Sequence, residues 1–519
     1  MRRYCCTLVS LLLLEQARSF SIGRLPRSPT QLRATIERTS TDSAGGNLMD
    51  FNQHLNELAE QCSDPTRCVV AIAADCESLW RNRPETDVVS LNSVLKAWAR
   101  VSQTFADNRD HRAMLDTNTP VYTSKDAAER ATALLHNADQ YDVQSYNVVL
   151  DAWAKSRCSE APQAVETLMT RLKEEEEDMH PDRWSYNAVV DTYAYSSVPN
   201  RIEILHSLWK EMQQNDSLKA TVRTLNSILH AYSRMEDPKY AQMAINVLRQ
   251  AQERFESSHD PADQPDVMTY TTVLDALARC ASPETTEQAV ELFNELKQMY
   301  AETKNDRFRP SIYTYVTMMV AWSRTPDPRA PKECEALLRE AMSQKDMAVN
   351  HRAFNTVIQS WARSRDGRKA AKALQLVKEM RALGKEQPAF KPSILTYNAA
   401  IDACSRTRGS AEQEMAALKI AFALFQAAEQ DGMVSHTTYA TLIRATSYLL
   451  PPGDERNKVA QATWEKAVAA AQADLSVVKQ LQRCVDSTKV QELLEPMVGM
   501  NGHIDFDRLP HAWKKNVQN

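Results

Sequence analysis

An eleven-residue motif recurs nine times in this chain, and this recurrence constrains the fold more than any other feature. One clear copy is Ser145–Lys155, with the sequence S-Y-N-V-V-L-D-A-W-A-K. The other copies are Ser90–Arg100, Ser185–Tyr195, Thr224–Arg234, Thr269–Arg279, Thr314–Arg324, Ala353–Arg363, Thr396–Arg406 and Thr438–Tyr448. Consecutive copies lie 39 to 55 residues apart. Self-similarity at such a period is typical of proteins built from stacked repeats.

Apolar residues within the motif fall on one side of a helix. We call the third motif residue the anchor; the anchors are Asn92, Asn147, Asn187, Asn226, Thr271, Val316, Asn355, Asn398 and Ala440. A large apolar or aromatic residue precedes each anchor, and the residues two and three positions after it are apolar, which is helical spacing. A second amphipathic segment follows each copy from the second to the eighth. Each repeat is therefore predicted to be a helix hairpin.

Composition and repeat position divide the chain into five segments. Residues 1–19 hold an apolar run of about ten residues, which is typical of a signal peptide and too short to span a bilayer. Residues 20–46 are rich in Arg, Ser and Thr, as transit peptides are. We predict a degenerate repeat in 47–87, the nine repeats in 88–450 and a C-terminal helical cap in 451–519. The leader resembles the bipartite plastid leader of algae with secondary plastids; a mitochondrial presequence is the alternative.

Several copies begin T-Y-N or S-Y-N, continue with an apolar pair and end in a basic residue, and pairs such as Pro181-Asp182 and Pro265-Asp266 come just before others. These hairpins resemble pentatricopeptide repeats over residues 88–450, in particular the P-type repeats of algal organellar members, with lengthened intervals. The resemblance implies an all-α fold, a right-handed α-solenoid (superhelix) of stacked helix-turn-helix repeats. It also implies single-stranded organellar RNA as the ligand, read at one base per repeat.

The resemblance assigns base reading to the anchor and to the last residue before the next repeat. An Asn amide can both donate and accept hydrogen bonds, as recognition of a base edge requires. The implied pairs are Asn92 with Asp142, Asn147 with Asp182, Asn187 with Thr221, Asn226 with Asp266, Thr271 with Ser311, Val316 with Asn350, Asn355 with Ser393 and Asn398 with Ser435. In this family Asn with Asp favours U, and Asn with Ser or Asn leans to C. The implied target is a pyrimidine-rich strand of about eight bases, U-U-Y-U-purine-N-C-C.

Two further rows of side chains fit an RNA ligand. Three residues before the anchor, the family position that packs on bases holds Trp184, Arg223, Met268, Tyr313 and Arg352. Eight residues after the anchor a cation recurs, as contact with a phosphate backbone requires; these cations are Arg100, Lys155, Arg234, Arg279, Arg324, Arg363 and Arg406. Beyond the first 40 residues the chain has 55 basic against 65 acidic residues, so RNA binding requires these cations to share one face.

No catalytic motif accompanies the repeats. The sequence lacks the H-x-E and C-x-x-C elements of zinc deaminases and any Gly-rich phosphate loop, and its ten cysteines show no metal-ligand or paired spacing. We therefore predict a monomeric protein that is not an enzyme, with no cofactor or metal and no membrane contact in its mature form. Its expected partners are organellar RNA and other organellar RNA-processing or ribosomal proteins. The acidic body leaves a second hypothesis open, a scaffold whose groove binds a protein segment.

Overall fold

A computed structural model describes residues 48–62, 69–83, 85–107, 123–175, 179–215, 218, 220–261, 263–344, 346–498 and 503–517. The described residues form helices and no β-strand. The helices are α1 (Leu48–Gln61), α2 (Val69–Arg81), α3 (Val88–Asp107), α4 (Ser124–His136), α5 (Val143–Ser156), α6 (Ala161–Glu174), α7 (Arg183–Tyr195), α8 (Arg201–Gln214), α9 (Val222–Ser233), α10 (Pro238–Ser258), α11 (Val267–Cys280), α12 (Pro283–Thr303), α13 (Ile312–Arg324), α14 (Ala330–Ser343), α15 (His351–Arg363), α16 (Lys369–Leu383), α17 (Ile394–Ser405), α18 (Ala411–Gln430), α19 (His436–Leu449), α20 (Asp454–Ala469), α21 (Leu475–Cys484), α22 (Ser487–Leu493) and α23 (His511–Lys514). The predicted leader, 1–19 and 20–46, lies outside the described residues.

The helices belong to two compact units, Met1–Ala231 and Tyr232–Asn519. Each sequence motif lies in a helix, and these motif helices are α3, α5, α7, α9, α11, α13, α15, α17 and α19. In the first unit α3 packs against α5 and α5 against α7, and in the second unit each motif helix from α11 to α17 packs against the next. In each case the second helix that separates the two in sequence packs against both of them. The predicted all-α solenoid of stacked helix-turn-helix repeats is therefore confirmed in each unit.

The residue in front of a motif helix fixes where that helix begins. Asp142 Oδ1 accepts a hydrogen bond from the backbone N–H of Ser145 at 2.8 Å, and the Ser145 hydroxyl accepts one from the backbone N–H of Asp142 at 3.2 Å. The same reciprocal capping box joins Asp182 to Ser185, Asp266 to Thr269, Ser311 to Thr314 and Ser393 to Thr396. Each box satisfies two backbone N–H groups, and loss of such a cap costs about 1 kcal/mol.

An aromatic residue before the anchor ties a motif helix to the second helix that follows it. Tyr146 and Tyr315 are each only 1% exposed. Their hydroxyls lie 2.9 Å from the carboxylates of Glu175 and Glu340. The same bond joins Tyr186 to Glu211, Tyr270 to Glu295 and Tyr397 to Asp431. Burial and the neighbouring carboxylate raise the pKa of these phenols, so they stay protonated and act as hydrogen-bond donors.

Charged side chains link consecutive second helices in the second unit. Arg249 and Glu295 lie 2.7 Å apart, and Lys297 lies 3.0 Å from Glu340. The row continues with Arg339 to Glu379 and Arg381 to Asp431. Pairs as exposed as these contribute roughly 0–1 kcal/mol each, so they set the spacing of the second helices more than they stabilise the fold.

The second helix of the first repeat, α4, was missing from the sequence prediction, which expected second helices only from the second copy to the eighth. α21 packs against α19 as a further motif helix would, although it carries no copy of the motif. In the described residues, no helix is both long and apolar enough to cross a bilayer.

Candidate nucleic-acid interface

Two predicted pairs of base-reading residues are in contact in the first unit. The Asn92 Nδ2 group donates to Asp142 Oδ1 at 3.2 Å, and Asn147 Nδ2 donates to Asp182 Oδ1 at 3.0 Å. In both pairs the anchor belongs to one motif helix, and the Asp is the N-cap of the next. Within each unit, we call the row formed by the anchors and these N-caps the anchor seam.

A third pair of this kind lies ahead of the first motif. Asn52 Nδ2 donates to the two carboxylate oxygens of Asp87 at 2.9 and 3.2 Å, and Asp87 Oδ1 accepts from the backbone N–H of Ser90. Asn52 lies on α1, in the segment predicted to hold a degenerate repeat. The pair was not among the predicted site residues, although Asn52 precedes Asn92 by the usual interval.

The capping Asp residues keep one oxygen unused. Asp182 Oδ1 accepts from the backbone N–H groups of Trp184 and Ser185 at 2.8 and 3.0 Å, and from Asn147. No described residue donates to its second oxygen, Oδ2. The Oδ2 atoms of Asp142 and Asp266 are likewise without a donor among the described residues, while their Oδ1 atoms hold the next motif helix. Each of these N-caps therefore offers one carboxylate oxygen to a ligand.

Several anchors are more buried than side chains on an open concave surface would be. Asn92, Asn187 and Asn355 are only 5, 6 and 8% exposed. Asn147 Oδ1 accepts from the Ser185 hydroxyl at 2.6 Å, and Asn187 Oδ1 from the Thr224 hydroxyl at 2.5 Å. A base can reach the most enclosed anchors only if the neighbouring motif helices move apart.

Several anchor amides have an unused acceptor. The buried Oδ1 atoms of Asn52, Asn92, Asn226, Asn355 and Asn398 have no hydrogen-bond partner among the described residues. An acceptor left unsatisfied in the interior costs about 1–3 kcal/mol. A donor supplied by a ligand would recover part of that cost.

The remaining predicted pairs differ in chemistry. Thr271 contacts the Thr314 hydroxyl at 3.0 Å rather than Ser311, and the Val316 side chain is apolar. Asn350 caps α15 through the backbone N–H of Arg352. No direct side-chain hydrogen bond joins Asn187 to Thr221, Asn355 to Ser393 or Asn398 to Ser435 in the described part of the chain. Asn226 belongs to the first unit, and Asp266 caps α11 in the second.

A row of exposed side chains stands beside the anchor seam, three residues before each anchor. The predicted members Trp184 and Met268 are both 55% exposed, and the Arg223 side chain is 57% exposed. Tyr313 and Arg352 are half-buried. The sequence prediction left out three apolar members at the same offset, Met49, Val89 and Leu395, which are 77, 57 and 70% exposed. Exposed apolar groups at one repeated offset offer surfaces on which a base can stack.

Most of the predicted phosphate-binding cations already have a partner. Lys155 pairs with Asp151 at 2.7 Å, Arg279 with Asp275 at 2.9 Å, Arg406 with Asp402 at 2.8 Å and Arg100 with Glu60 at 3.1 Å. The Arg363 guanidinium donates to the Ser323 carbonyl at 3.1 Å. Arg234 is exposed and Arg324 is half-buried, and neither has a carboxylate within 4.0 Å among the described residues. For Lys155, Arg279 and Arg406 the sequence shows the cause: an Asp four residues after the anchor lies one helical turn before the cation.

Residues 336–407 match the family model of the pentatricopeptide repeat domain. That segment contains α15, α16 and α17, and the motif and hairpin seen there recur on both sides of it. Residues 336–407 are therefore similar to pentatricopeptide repeats. The crystal structure of the pentatricopeptide repeat protein PPR10 from maize aligns with a TM-score of 0.44 and 17% identity, over 93% of this chain and 69% of that one. No curated protein matches the present chain significantly in sequence.

Four of the described cysteines are buried and unreactive as nucleophiles. Burial raises the pKa of Cys62, Cys76, Cys334 and Cys404 to about 12, so the thiols are protonated at neutral pH. Among the residues that the structure places, no three His, Cys, Asp or Glu side chains are grouped as metal ligands.

Proposed function

We propose that this chain is a pentatricopeptide repeat protein and binds single-stranded RNA along the anchor seam, with one base at each repeat. The observation that carries the proposal is the anchor and N-cap pair, in which an Asn amide meets a carboxylate that keeps one oxygen unused. Beside each such pair stands a first-turn side chain, among which Val89 and Trp184 are more than half exposed. Hydrogen bonding to the base edge and stacking on its face are thus both available at one repeat.

The pair of Asn147 and Asp182 matches the edge of uracil. The N3–H group of uracil donates, and the free Oδ2 of Asp182 can accept that hydrogen bond with its negative charge. The amide of Asn147 uses one hydrogen for Asp182 and has a second hydrogen for a uracil carbonyl. A neutral Ser N-cap lacks the charged acceptor, which supports a different preference at Ser393 and Ser435.

The proposed target is a pyrimidine-rich strand of about eight bases, U-U-Y-U-purine-N-C-C, in an organellar transcript. No further base is proposed at the pair of Asn52 and Asp87, because both oxygens of Asp87 already accept from Asn52. By occupying the strand, the protein would exclude exonucleases or remodel a hairpin, and so act in RNA processing, stabilisation or translation without catalysing a reaction. The leader composition supports a plastid location, with the mitochondrion as the alternative; the distribution of a fluorescent fusion in algal cells distinguishes the two.

Asp182→Asn tests base reading without removing the helix cap. Asn caps helices about as well as Asp, so the variant should fold with nearly unchanged stability. It loses the charged acceptor, and the resemblance predicts that an Asn with Asn pair leans to C. Binding of labelled oligonucleotides that carry U or C opposite this repeat should therefore shift toward C by about tenfold in relative affinity.

Asp237→Asn is the matched control, because Asp237 caps the second helix α10 and lies outside the anchor seam. The control should leave the ratio of the two affinities unchanged. Equal preference for U and C in the parent protein, or the same ratio in the parent and Asp182→Asn, would contradict base reading at this repeat.

A second candidate function is a scaffold that binds a protein segment, alone or within an organellar ribonucleoprotein complex. The pairing of Lys155, Arg279 and Arg406 with acids one turn away favours it, because these cations are already partly neutralised. Crosslinking in the organelle followed by RNase distinguishes the two functions. A protein partner that survives RNase, with no RNA recovered, would support the scaffold and reject the RNA proposal.

A further inference from the structure

A cleft of about 310 Å³ lies between two second helices, α14 and α16, within the second unit. Its walls carry four cations, Lys332, Arg339, Arg368 and Lys372, and one carboxylate, Glu335. The indole of Trp361, from the motif helix between them, forms part of its lining. Because the cations belong to second helices or to the turn before one, the cleft is distinct from the anchor seam.

The four cations differ in how far they are neutralised. Lys372 lies 3.2 Å from Glu335, and Arg339 lies 3.8 Å from the same carboxylate and also pairs with Glu379. Arg368 pairs with Asp366 through its Nε and Nη2 groups, which leaves Nη1 without a partner among the described residues. Lys332 is exposed and has no carboxylate within 4.0 Å in the described part of the chain.

Four positive charges face three negative ones, so the cleft keeps a net positive charge and unused donors. Excess positive charge on planar Arg groups and mobile Lys groups is the combination that proteins use to bind phosphate.

The buried indole N–H of Trp361 is a second and independent observation that points to a ligand. It is 1% exposed, and its indole N–H has no acceptor among the described residues. Two tryptophans at the same motif position in earlier repeats are satisfied: Trp98 donates to Glu77 at 3.0 Å and Trp153 to the Thr132 hydroxyl at 2.8 Å. Both acceptors lie 21 residues before the indole that they serve.

The residue that precedes Trp361 by the same interval is Glu340, but its Oε1 atom accepts from Tyr315 at 2.9 Å and from Lys297 at 3.0 Å. The indole N–H therefore lacks the partner that its counterparts have. An oxyanion in the cleft that Trp361 lines would provide an acceptor for this N–H. The Lys372 ammonium lies 5.5 Å from the centre of the indole ring and 3.2 Å from the carboxylate of Glu335.

We propose that this cleft binds a phosphoryl group, either as inorganic phosphate or as the phosphate of a nucleoside 5′-monophosphate. Lys332 and Arg368 supply the unused charged donors, Lys372 shifts part of its interaction from Glu335 to the ligand, and the Trp361 N–H donates to a phosphoryl oxygen. The volume admits a phosphoryl group together with several waters, each of which takes about 30 Å³. The site does not depend on RNA binding along the anchor seam.

The test is equilibrium dialysis of the full chain against labelled inorganic phosphate, and separately against labelled adenosine 5′-monophosphate, at constant ionic strength. Saturable binding of one equivalent is expected for at least one of the two. Phosphate alone would identify a free-anion site, and tighter binding of the monophosphate would identify a nucleotide site. No saturable binding of either ligand would overturn the proposal.

Variants identify the residues involved. Lys332→Gln with Lys372→Gln should weaken binding by tenfold or more, and Trp361→Phe, which keeps the ring but removes the N–H, by about tenfold. Lys419→Gln is the matched control, since Lys419 lines a mostly apolar cleft between α18 and α20. If Trp361→Phe does not fold, as judged by circular dichroism, the double Lys variant decides by itself. Affinity unchanged in the double variant, or lost equally in Lys419→Gln, would overturn the assignment.

Discussion

The anchor Asn355 gives a prediction in which stability and RNA binding change in opposite directions. Its side chain is 8% exposed, its Oδ1 has no partner among the described residues, and no hydrogen bond joins it to another described side chain. Asn355→Leu replaces the amide with an apolar group of similar shape. Because an unsatisfied buried acceptor costs about 1–3 kcal/mol, the variant should be about 1–2 kcal/mol more stable in the absence of RNA.

Asn147 is the matched comparison because both polar atoms of its amide are satisfied. Nδ2 donates to Asp182 at 3.0 Å, and Oδ1 accepts from Ser185 at 2.6 Å. Asn147→Leu removes both hydrogen bonds, so Asp182 loses a donor and the Ser185 hydroxyl loses an acceptor. The variant should therefore destabilise the protein by about 1–3 kcal/mol. Both variants should weaken binding of the pyrimidine-rich oligonucleotide, because each removes one base-reading amide.

The assay is urea unfolding followed by far-UV circular dichroism, with each variant compared to the parent at the same protein concentration. Repeat arrays can unfold in more than one step, so midpoints of corresponding transitions are compared. A loss of stability in Asn355→Leu as large as that in Asn147→Leu would refute the reasoning, since it would mean that the Asn355 amide is satisfied in the folded protein.

Two further predictions concern charge. Asp151→Asn releases Lys155 from its partner at 2.7 Å, so RNA should bind more tightly at low salt, and the slope of log affinity against log salt should steepen by about one contact; an unchanged slope would show that Lys155 does not meet phosphate. Burial acts to raise the pKa of Glu295, but hydrogen bonds from Arg249 and Gln252 outweigh it and lower that pKa. A carboxylate whose pKa is lowered by folding stabilises the folded state at pH values above its unfolded pKa, and this stabilisation is lost as pH falls. Glu295→Gln should therefore lose less stability than the parent between about pH 5 and pH 3. Equal losses of stability in the two proteins would contradict this.

The sequence could predict the motif helices because apolar and small residues recur at the same offsets in every copy. It could not place α4, since the distance from a motif helix to its second helix depends on an insertion whose length the motif does not determine. The capping boxes are visible in the sequence, as the residue before each motif helix and the Ser or Thr three positions later. The sequence does not distinguish a capping role from a base-reading role, because Asp182 would be favoured at its position by capping alone.

The enclosure of the anchors could not be predicted from one repeat. It arises where two motif helices meet, so the exposure of Asn92 or Asn187 depends on the neighbour as much as on the motif. The pairing of Lys155 with Asp151 was visible at a spacing of four residues. The offset of the cations indicated a shared face, but the acids that share it reduce the charge available to a phosphate.

The double use of one carboxylate oxygen limits how these repeats can diversify. Asp182 Oδ1 starts helix α7 and at the same time holds the anchor of the preceding repeat. A substitution that altered base preference and also removed the cap would destabilise the next motif helix by about 1 kcal/mol. Residues that begin helices well are therefore favoured at this position, and Asp, Asn, Ser and Thr are the four found at the predicted sites. The set of residue types available for distinguishing bases would then be limited by the need to cap a helix.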